Sequence, residues 1–498
     1  NDSLRVDADE LCCRVIGEGG NLGLTQRARI EFGRRGGVSL TDFIDNSAGV
    51  DCSDHEVNIK ILLNQQVNEG SLTEKRRNRL LQSMTDEVAE LVLDNNYSQV
   101  QTIGIARSEV EERHKEFADL MRYLEDNAGL DRSLEYLPEE EALEERAAMG
   151  EYLTRPELAV LTSYMKMHLK AELARVSYID DPYLEPLLYS AFPEKLRRAY
   201  SAAIQEHPLR REIIATQLAN TLVNLLGPSF VYRMIDSTGS SLGRVVKAAL
   251  IAREMFNVEN YWEQVEALDY QVDSDIQTEM MSRLIRLTRR ATRWLLRNRR
   301  GELEFEEELR YFGEGIRRCK LMLPGKLPPD YQAMFNDKLD HLQSNKVPEA
   351  LAKSICKCDF LFPATSFVEI SNNTGESLNK VVEIYYALGE QLQLNWLGRI
   401  INQLPVSNYW QALARETYLD DLAWQQRALT CNIVNMPDRK GAVKSQVANW
   451  AEHHAAQVQR LDKMISQLQA ESNPDYAMFS VALRELLNLA QSTAHLGQ

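Results

Sequence analysis

The spacing of apolar residues changes early in this chain. Two short β-rich runs come first: Leu11 to Ile16, ending at Gly17, and Val38 to Ile44, broken by Asp45-Asn46. Between them Thr25 to Phe32 reads as a short helix. The period-two signal then nearly vanishes, and apolar residues recur every three or four positions, the helical period. Ser53 is expected to open a long helix to about Val67 through a capping box, its hydroxyl on the Glu56 amide and Glu56 reaching back. Glu74 to Asn95 carries Leu80, Met84, Val88, Leu91 and Val92 at helical spacing, and Ala118 to Glu125 continues to a stop at Asp126-Asn127-Ala128-Gly129. After the acidic loop Pro138-Glu139-Glu140-Glu141, a second capping box, Thr154-Arg155-Pro156-Glu157, precedes a stripe of Leu158, Leu161, Met165 and Leu169. The pattern predicts a mostly α chain with a short α/β segment at its start. The remainder of such an α/β domain is expected upstream.

An internal repeat adds to this picture. Thr238-Gly239-Ser240-Ser241-Leu242-x-x-Val245-Val246 recurs as Thr374-Gly375-Glu376-Ser377-Leu378-x-x-Val381-Val382. Each copy leads into a helix, with Leu250 and Phe256 matching Tyr386 and Leu392. Two similar helical units are expected, at about 234–300 and 370–436; two copies are too few for a solenoid.

Composition narrows the class. The chain has 498 residues, 44% hydrophobic and 26% charged, as in ordinary globular proteins. No apolar run approaches the roughly 18 residues that span a bilayer. Asn1-Asp2-Ser3-Leu4 has neither a basic stretch nor an apolar core, unlike a signal peptide. A net charge of −16 argues against nucleic acid as the main partner. Seven scattered cysteines suggest reduced thiols and a cytoplasmic setting. Cys356-x-Cys358 lacks the second ligand pair of a zinc site. Cys52, Asp54, His55 and Glu56 point in different directions on one helix, so no metal site is expected there.

Two turns carry candidate chemistry. In Glu18-Gly19-Gly20-Asn21 the glycines would let a ligand approach the backbone while Asn21 offers a donor and an acceptor; a plain turn between strand and helix is the competing reading. Gly17-x-Gly19 mimics a dinucleotide fingerprint, but Leu22 stands at the third glycine position. Asp45-Asn46-Ser47-Ala48-Gly49-Val50 places a polar Asn at a strand end before small residues, which suits a carboxamide or carboxylate in a crevice. Ser53 could bind a carboxylate at a helix start or serve as the N-cap. Eight arginines between Arg283 and Arg300 interleave with Leu284, Leu287, Trp294 and Leu295, and Glu302 to Glu308 follow at once. An intramolecular or intersubunit charge seam is favoured over an anion-binding face.

These residues resemble the end of the catalytic region of the glutamate dehydrogenases. Glu18-Gly19-Gly20-Asn21 with Thr25 matches one family segment, and Asp42, Asn46, Gly49, Val50, Ser53 and Glu56 match a second. The run Thr41 to Glu56 resembles the large bacterial NAD-specific members, as does Leu153-Thr154-Arg155-Pro156-Glu157-Leu158-Ala159-Val160-Leu161 in their helical C-terminal region. The resemblance implies a Rossmann-like dinucleotide-binding remnant over residues 1–70, a helical connector over 71–150 and an all-helical region over 151–498. It implies NAD as cofactor, L-glutamate and 2-oxoglutarate as substrate and product, and a homo-oligomer. Gly19, Gly20, Asn21 and Asn46 would meet the cofactor, and Val50 and Ser53 the glutamate side chain. Leu22-Gly23-Leu24 and Ser47-Ala48 depart from the family pattern. The family's activating lysine and proton-transferring aspartate belong upstream and have no match here, so no catalytic residue is assigned and this chain alone is expected to be inactive. A non-catalytic helical interaction module and a dehydrogenase for another amino acid are the alternatives.

Overall fold

A computed structural model of the chain describes residues 5–406, 409–436 and 441–493. Asn1 to Leu4, read above for a leader, lie outside the described residues. The chain divides into two compact units, Asn1–Ala248 and Ala249–Gln498. Among the described residues all regular structure is helical, and no helix is long and apolar enough to cross a membrane.

The first unit corrects the expected strands. The two β-rich runs do lie side by side, but they share only one parallel bridge, Val15 to Val38. Val38 donates to the Arg14 carbonyl and accepts from the Ile16 amide, both at 2.9 Å. A parallel pair without further strands has too few ladder bonds to extend. From Thr41 the chain turns instead into a short helix, Asp42–Asp45, whose last two amides bond the Thr41 carbonyl. The expected Rossmann-like remnant is reduced to this bridge. The Gln26–Arg34 helix forms as read, with the Thr25 hydroxyl capping the Ala28 amide.

The capping box at Ser53 does not form. The helix starts six residues earlier and runs Ser47–Asn68, because Asn46 accepts from the Gly49 amide and so provides an earlier cap. Ser53, now inside the helix, donates its hydroxyl back to the Gly49 carbonyl at 2.9 Å, and Glu56 pairs with Lys60. The helix expected over Glu74 to Asn95 is broken into Glu74–Gln82 and Thr85–Glu109. Ser83 causes the break, its hydroxyl taking the Leu80 carbonyl out of the helical ladder.

The second capping box forms as read. Glu157, fully buried, accepts from the Thr154 amide and hydroxyl at 2.7 Å each and from Arg146 at 2.6 Å. It opens the Arg155–Leu173 helix, whose stripe of Leu158, Leu161, Met165 and Leu169 is wholly buried. Each such side chain contributes about 2 kcal/mol of burial. This helix packs on Arg210–Leu226, and the two form the centre of the first unit.

In the second unit the Ser274–Asn298 helix buries Met280, Leu284, Leu287, Ala291 and Leu295. Its arginines reach distant carboxylates: Arg283 to Asp359 at 2.6 Å, Arg293 to Glu416 at 2.5 Å and Arg297 to Asp420 at 2.8 Å. Of the neighbouring acidic run, Glu308 takes Arg299 at 3.0 Å. The seam is thus intramolecular at these positions, tying helices far apart in sequence.

The two repeat segments share local devices. Phe230–Thr238 and Ala364–Thr374 each end on a left-handed glycine, Gly239 at φ 65° and Gly375 at φ 69°. In both, the terminal threonine accepts from the residue two positions on, at 3.3 Å. After the next helix, Asn257 and Gln393 are both left-handed at φ 54°.

Glu157→Ala removes the box and leaves Arg146 without its buried partner. Urea unfolding should show a loss of about 3 kcal/mol, against about 1 kcal/mol for Thr154→Ala. A Glu157→Ala chain as stable as the parent would refute the role given to this carboxylate.

Candidate functional site

The glycine-rich turn at residues 17–24 is pinned by a buried knot of charge. Glu18 is 5% exposed and holds Arg29 with both oxygens, at 2.5 Å to Nε and 3.0 Å to Nη2. The same carboxylate accepts from the Leu24 amide at 3.0 Å. The Glu18 amide donates to Asp45 at 2.9 Å, and the Leu22 amide to Asp42 at 3.0 Å. Asp42 also lies 3.3 Å from Arg29. The turn is therefore fixed against both the Gln26–Arg34 and Asp42–Asp45 helices. Leu22 pays for its place with a left-handed φ of 65°, a conformation a branched side chain disfavours.

The acids titrate apart. Burial alone would raise the Asp42 carboxyl, but the Leu22 amide and Arg29 outweigh it and hold it below its ordinary value. Burial does raise Asp45, and the Glu18 amide offsets this only in part. For Arg29 the burial penalty is overcome by Glu18 and Asp42, which hold its guanidinium above the ordinary value. Three carboxylates around one guanidinium leave the turn in a negative field, which favours a cationic ring over a phosphate.

This framework brings Asn21 and Asn46 together. Asn46 Nδ2 donates to Asn21 Oδ1 at 2.9 Å, while Asn46 Oδ1 caps the Gly49 amide at 3.1 Å. The two carboxamides thus form a continuous edge leading onto the Ser47–Asn68 helix. A Cβ at Gly19 or Gly20 would meet no protein atom within 4 Å, and neither residue has a positive φ. Nothing within the chain demands glycine at either position; a ligand that needs close access to the backbone would.

Ser53 is exposed one turn along the same helix, joined to the Asn46 cap through Gly49. Val50 is half exposed, three residues before Ser53 on the same helix, and also borders a cavity of about 370 Å³. The six sequence-predicted residues therefore separate into the Gly19-Gly20-Asn21-Asn46 edge, Ser53 beside it, and Val50 on the cavity. Sequence reasoning missed Arg29, although an arginine flanked by the buried Ile30 and close to Phe32 signals a buried partner. It also missed the cavity, where Asp51 and His55 of the Ser47–Asn68 helix meet Lys166 of Arg155–Leu173. Among the described residues no three metal-binding side chains converge.

The edge has little slack. A Cβ on Gly49 would stand 2.7 Å from Asn46 Nδ2 and 2.8 Å from Oδ1. Gly49→Ala should displace the Asn46 carboxamide and cost about 1 kcal/mol as the cap weakens. Amide nuclear magnetic resonance should show the Asn21 and Asn46 side-chain signals moving together. Movement of Asn46 alone would contradict the link between them.

Comparison with known proteins bears on these turns. Residues 150–488 match the family described as glutamate dehydrogenase, C-terminal, and residues 1–106 match bacterial NAD-glutamate dehydrogenase, catalytic domain. The chain is 47% identical over 495 residues to an NAD-specific glutamate dehydrogenase of Pseudomonas aeruginosa, covering 99% of this chain and 31% of that protein. It is 41% identical over 494 residues to one from Halomonas elongata, covering 99% of this chain and 31% of that protein. A third, from Mycobacterium tuberculosis, is 32% identical over 493 residues, again 99% of this chain and 30% of the relative. The chain spans about a third of the length of these curated relatives. With most of its length matched, and with the two asparagine turns held together at its start, the chain belongs to the glutamate dehydrogenase family defined by that C-terminal region.

Proposed function

We propose that this chain is the C-terminal part of an NAD-dependent glutamate dehydrogenase. In the reaction the Cα hydrogen of L-glutamate leaves as hydride and the amine gives up a proton. Water then hydrolyses the imine to 2-oxoglutarate and ammonium. NAD, when bound, supplies the hydride acceptor. The observation that carries this reading is the Asn21–Asn46 contact beside the open Gly19-Gly20 backbone.

The residues fit the nicotinamide end of the cofactor. Gly19 and Gly20 leave the backbone accessible, and the joined carboxamides offer amide donors and acceptors of the kind a nicotinamide amide and ribose need. The surplus of negative charge from Glu18, Asp42 and Asp45 favours an oxidised, cationic nicotinamide. Ser53 would turn its hydroxyl from the Gly49 carbonyl toward the distal carboxylate of glutamate, and Val50 would pack on its methylenes. An aliphatic substrate would leave that hydroxyl without a charged partner, which favours glutamate over other amino acids.

Turnover needs the upstream lysine and aspartate that the resemblance implies, so this chain by itself is inactive in our reading. Its helical region serves assembly or regulation, with a homo-oligomer as the expected state. Free thiols at all seven cysteines accord with a cytoplasmic setting.

The test compares this chain with an upstream-extended parent, following the near-ultraviolet absorbance of reduced nicotinamide. Only the parent should turn over, with glutamate as its best amino acid. Ser53→Ala in the parent should raise KM for glutamate about 10-fold or more, the loss of a hydrogen bond to a charged group. A parent that ignores glutamate, or an unchanged KM, would overturn the reading.

A further inference from the structure

The cavity beside Val50 contains chemistry that the dehydrogenase reading does not use. Its walls come mainly from four helices of the first unit, Ser47–Asn68, Thr85–Glu109, Arg155–Leu173 and Arg210–Leu226, with Phe43 of Asp42–Asp45 and Ala191 completing them. Neither Asn21, Asn46 nor Ser53 lines it.

Two sets of its polar groups bear on a ligand. Lys166 and Lys170 stand one turn apart on Arg155–Leu173 and supply cationic donors. The other set accepts. His55 is 5% exposed, and its Nδ1 lies 3.0 Å from the Ala191 carbonyl. A carbonyl can only accept, so Nδ1 carries a proton, and in the tautomer this selects Nε2 is the acceptor. That Nε2 is buried and has no hydrogen-bond partner; Asp51 is 3.9 Å away, beyond hydrogen-bond reach. Asn224 Oδ1 is likewise buried and unpartnered. Asp51 accepts from Asn95 at 2.8 Å and contributes a carboxylate to the same wall.

Buried acceptors without donors cost stability until something supplies a proton to them. An ammonium group meets that need, and a carboxylate meets the need of the two lysines. We propose that this cavity binds a small zwitterion, an α-amino acid carrying its ammonium toward Asp51, His55 and Asn224 and its carboxylate toward Lys166 and Lys170. A volume of about 370 Å³ is within the range of small-molecule sites. The charged groups facing the space are Asp51, Asp54, Glu212, Lys166 and Lys170, with the titratable His55 among them, so neither a bare anion nor a bare cation is balanced there. Burial pushes the Lys166 ammonium down to about 7, with Asp51 only partly offsetting it, and a bound carboxylate would supply the missing counter-charge. The site does not depend on the dehydrogenase reading. Because Val50 lies on its wall, its occupancy would be felt on the helix that also carries Ser53.

The experiment is calorimetric titration of this chain with L-alanine, L-aspartate and L-lysine, with propionate and propylamine as the two half-molecules. At least one amino acid should bind saturably, and both half-molecules should bind at least 10-fold more weakly. Lys166→Met should weaken that amino acid at least 10-fold, and Ser53→Ala should not change it. If Lys166→Met fails to fold, the ¹⁵N shift of His55 Nε2 in the unaltered chain gives the second readout and should move on binding. Absence of saturable binding by all three amino acids would overturn the proposal, as would equal binding of a half-molecule or a static His55 signal. Loss of binding in Ser53→Ala would place the ligand at the proposed glutamate site instead, sinking this inference while leaving the dehydrogenase reading intact.

Discussion

The buried ion pair between Glu18 and Arg29 is the constraint on which the candidate site depends. Two charges removed from water are costly unless their remaining hydrogen-bonding capacity is met. Here the Leu24 amide takes up Glu18, while Gln26, at 3.3 Å, and Asp42 take up Arg29. Those partners are the turn and the two helices that the site requires in register. The same arrangement that makes the burial tolerable therefore sets where Asn21 and Asn46 meet. A looser turn would leave the carboxamides free to satisfy themselves with water.

The site is also built into the helical region. Gln26 donates to the Pro156 carbonyl at 3.3 Å, and a Cβ at Gly33 would lie 3.2 Å from Thr154. Thr154 is the capping residue of the central helix, so the cap and the site share one contact surface. On the other side Asn96 donates to the Ile44 carbonyl at 2.8 Å and to Ser47 at 2.7 Å, fixing the start of the helix that carries Val50 and Ser53. Segments that match a catalytic family and a C-terminal family thus interlock within a single compact unit. A purely appended scaffold would not reach into the turns in this way.

What the sequence revealed follows from how local each signal is. The box at Thr154 and Glu157 was legible because all its partners lie within one helical turn. The box at Ser53 was misleading because Asn46, seven residues upstream, is an equally good cap and closes first. The β-rich runs were read wrongly as strands, since a ladder needs partners that residue pattern alone does not supply. Asn21 and Asn46 were identifiable as candidates, yet their contact was not, because it depends on Arg29 and Asp45. The cavity was invisible: Asp51, Lys166, Ala191 and Asn224 converge only through the packing of helices distant in sequence.

The most direct test of the central claim is amide hydrogen exchange on an Arg29→Met chain. With Glu18 left unpaired, residues 18–24 and 42–50 should lose protection together, while Leu158 to Leu169 in the central helix keeps it. Protection unchanged in both turns, or lost only within Gln26 to Arg34, would mean that the ion pair does not hold the site together.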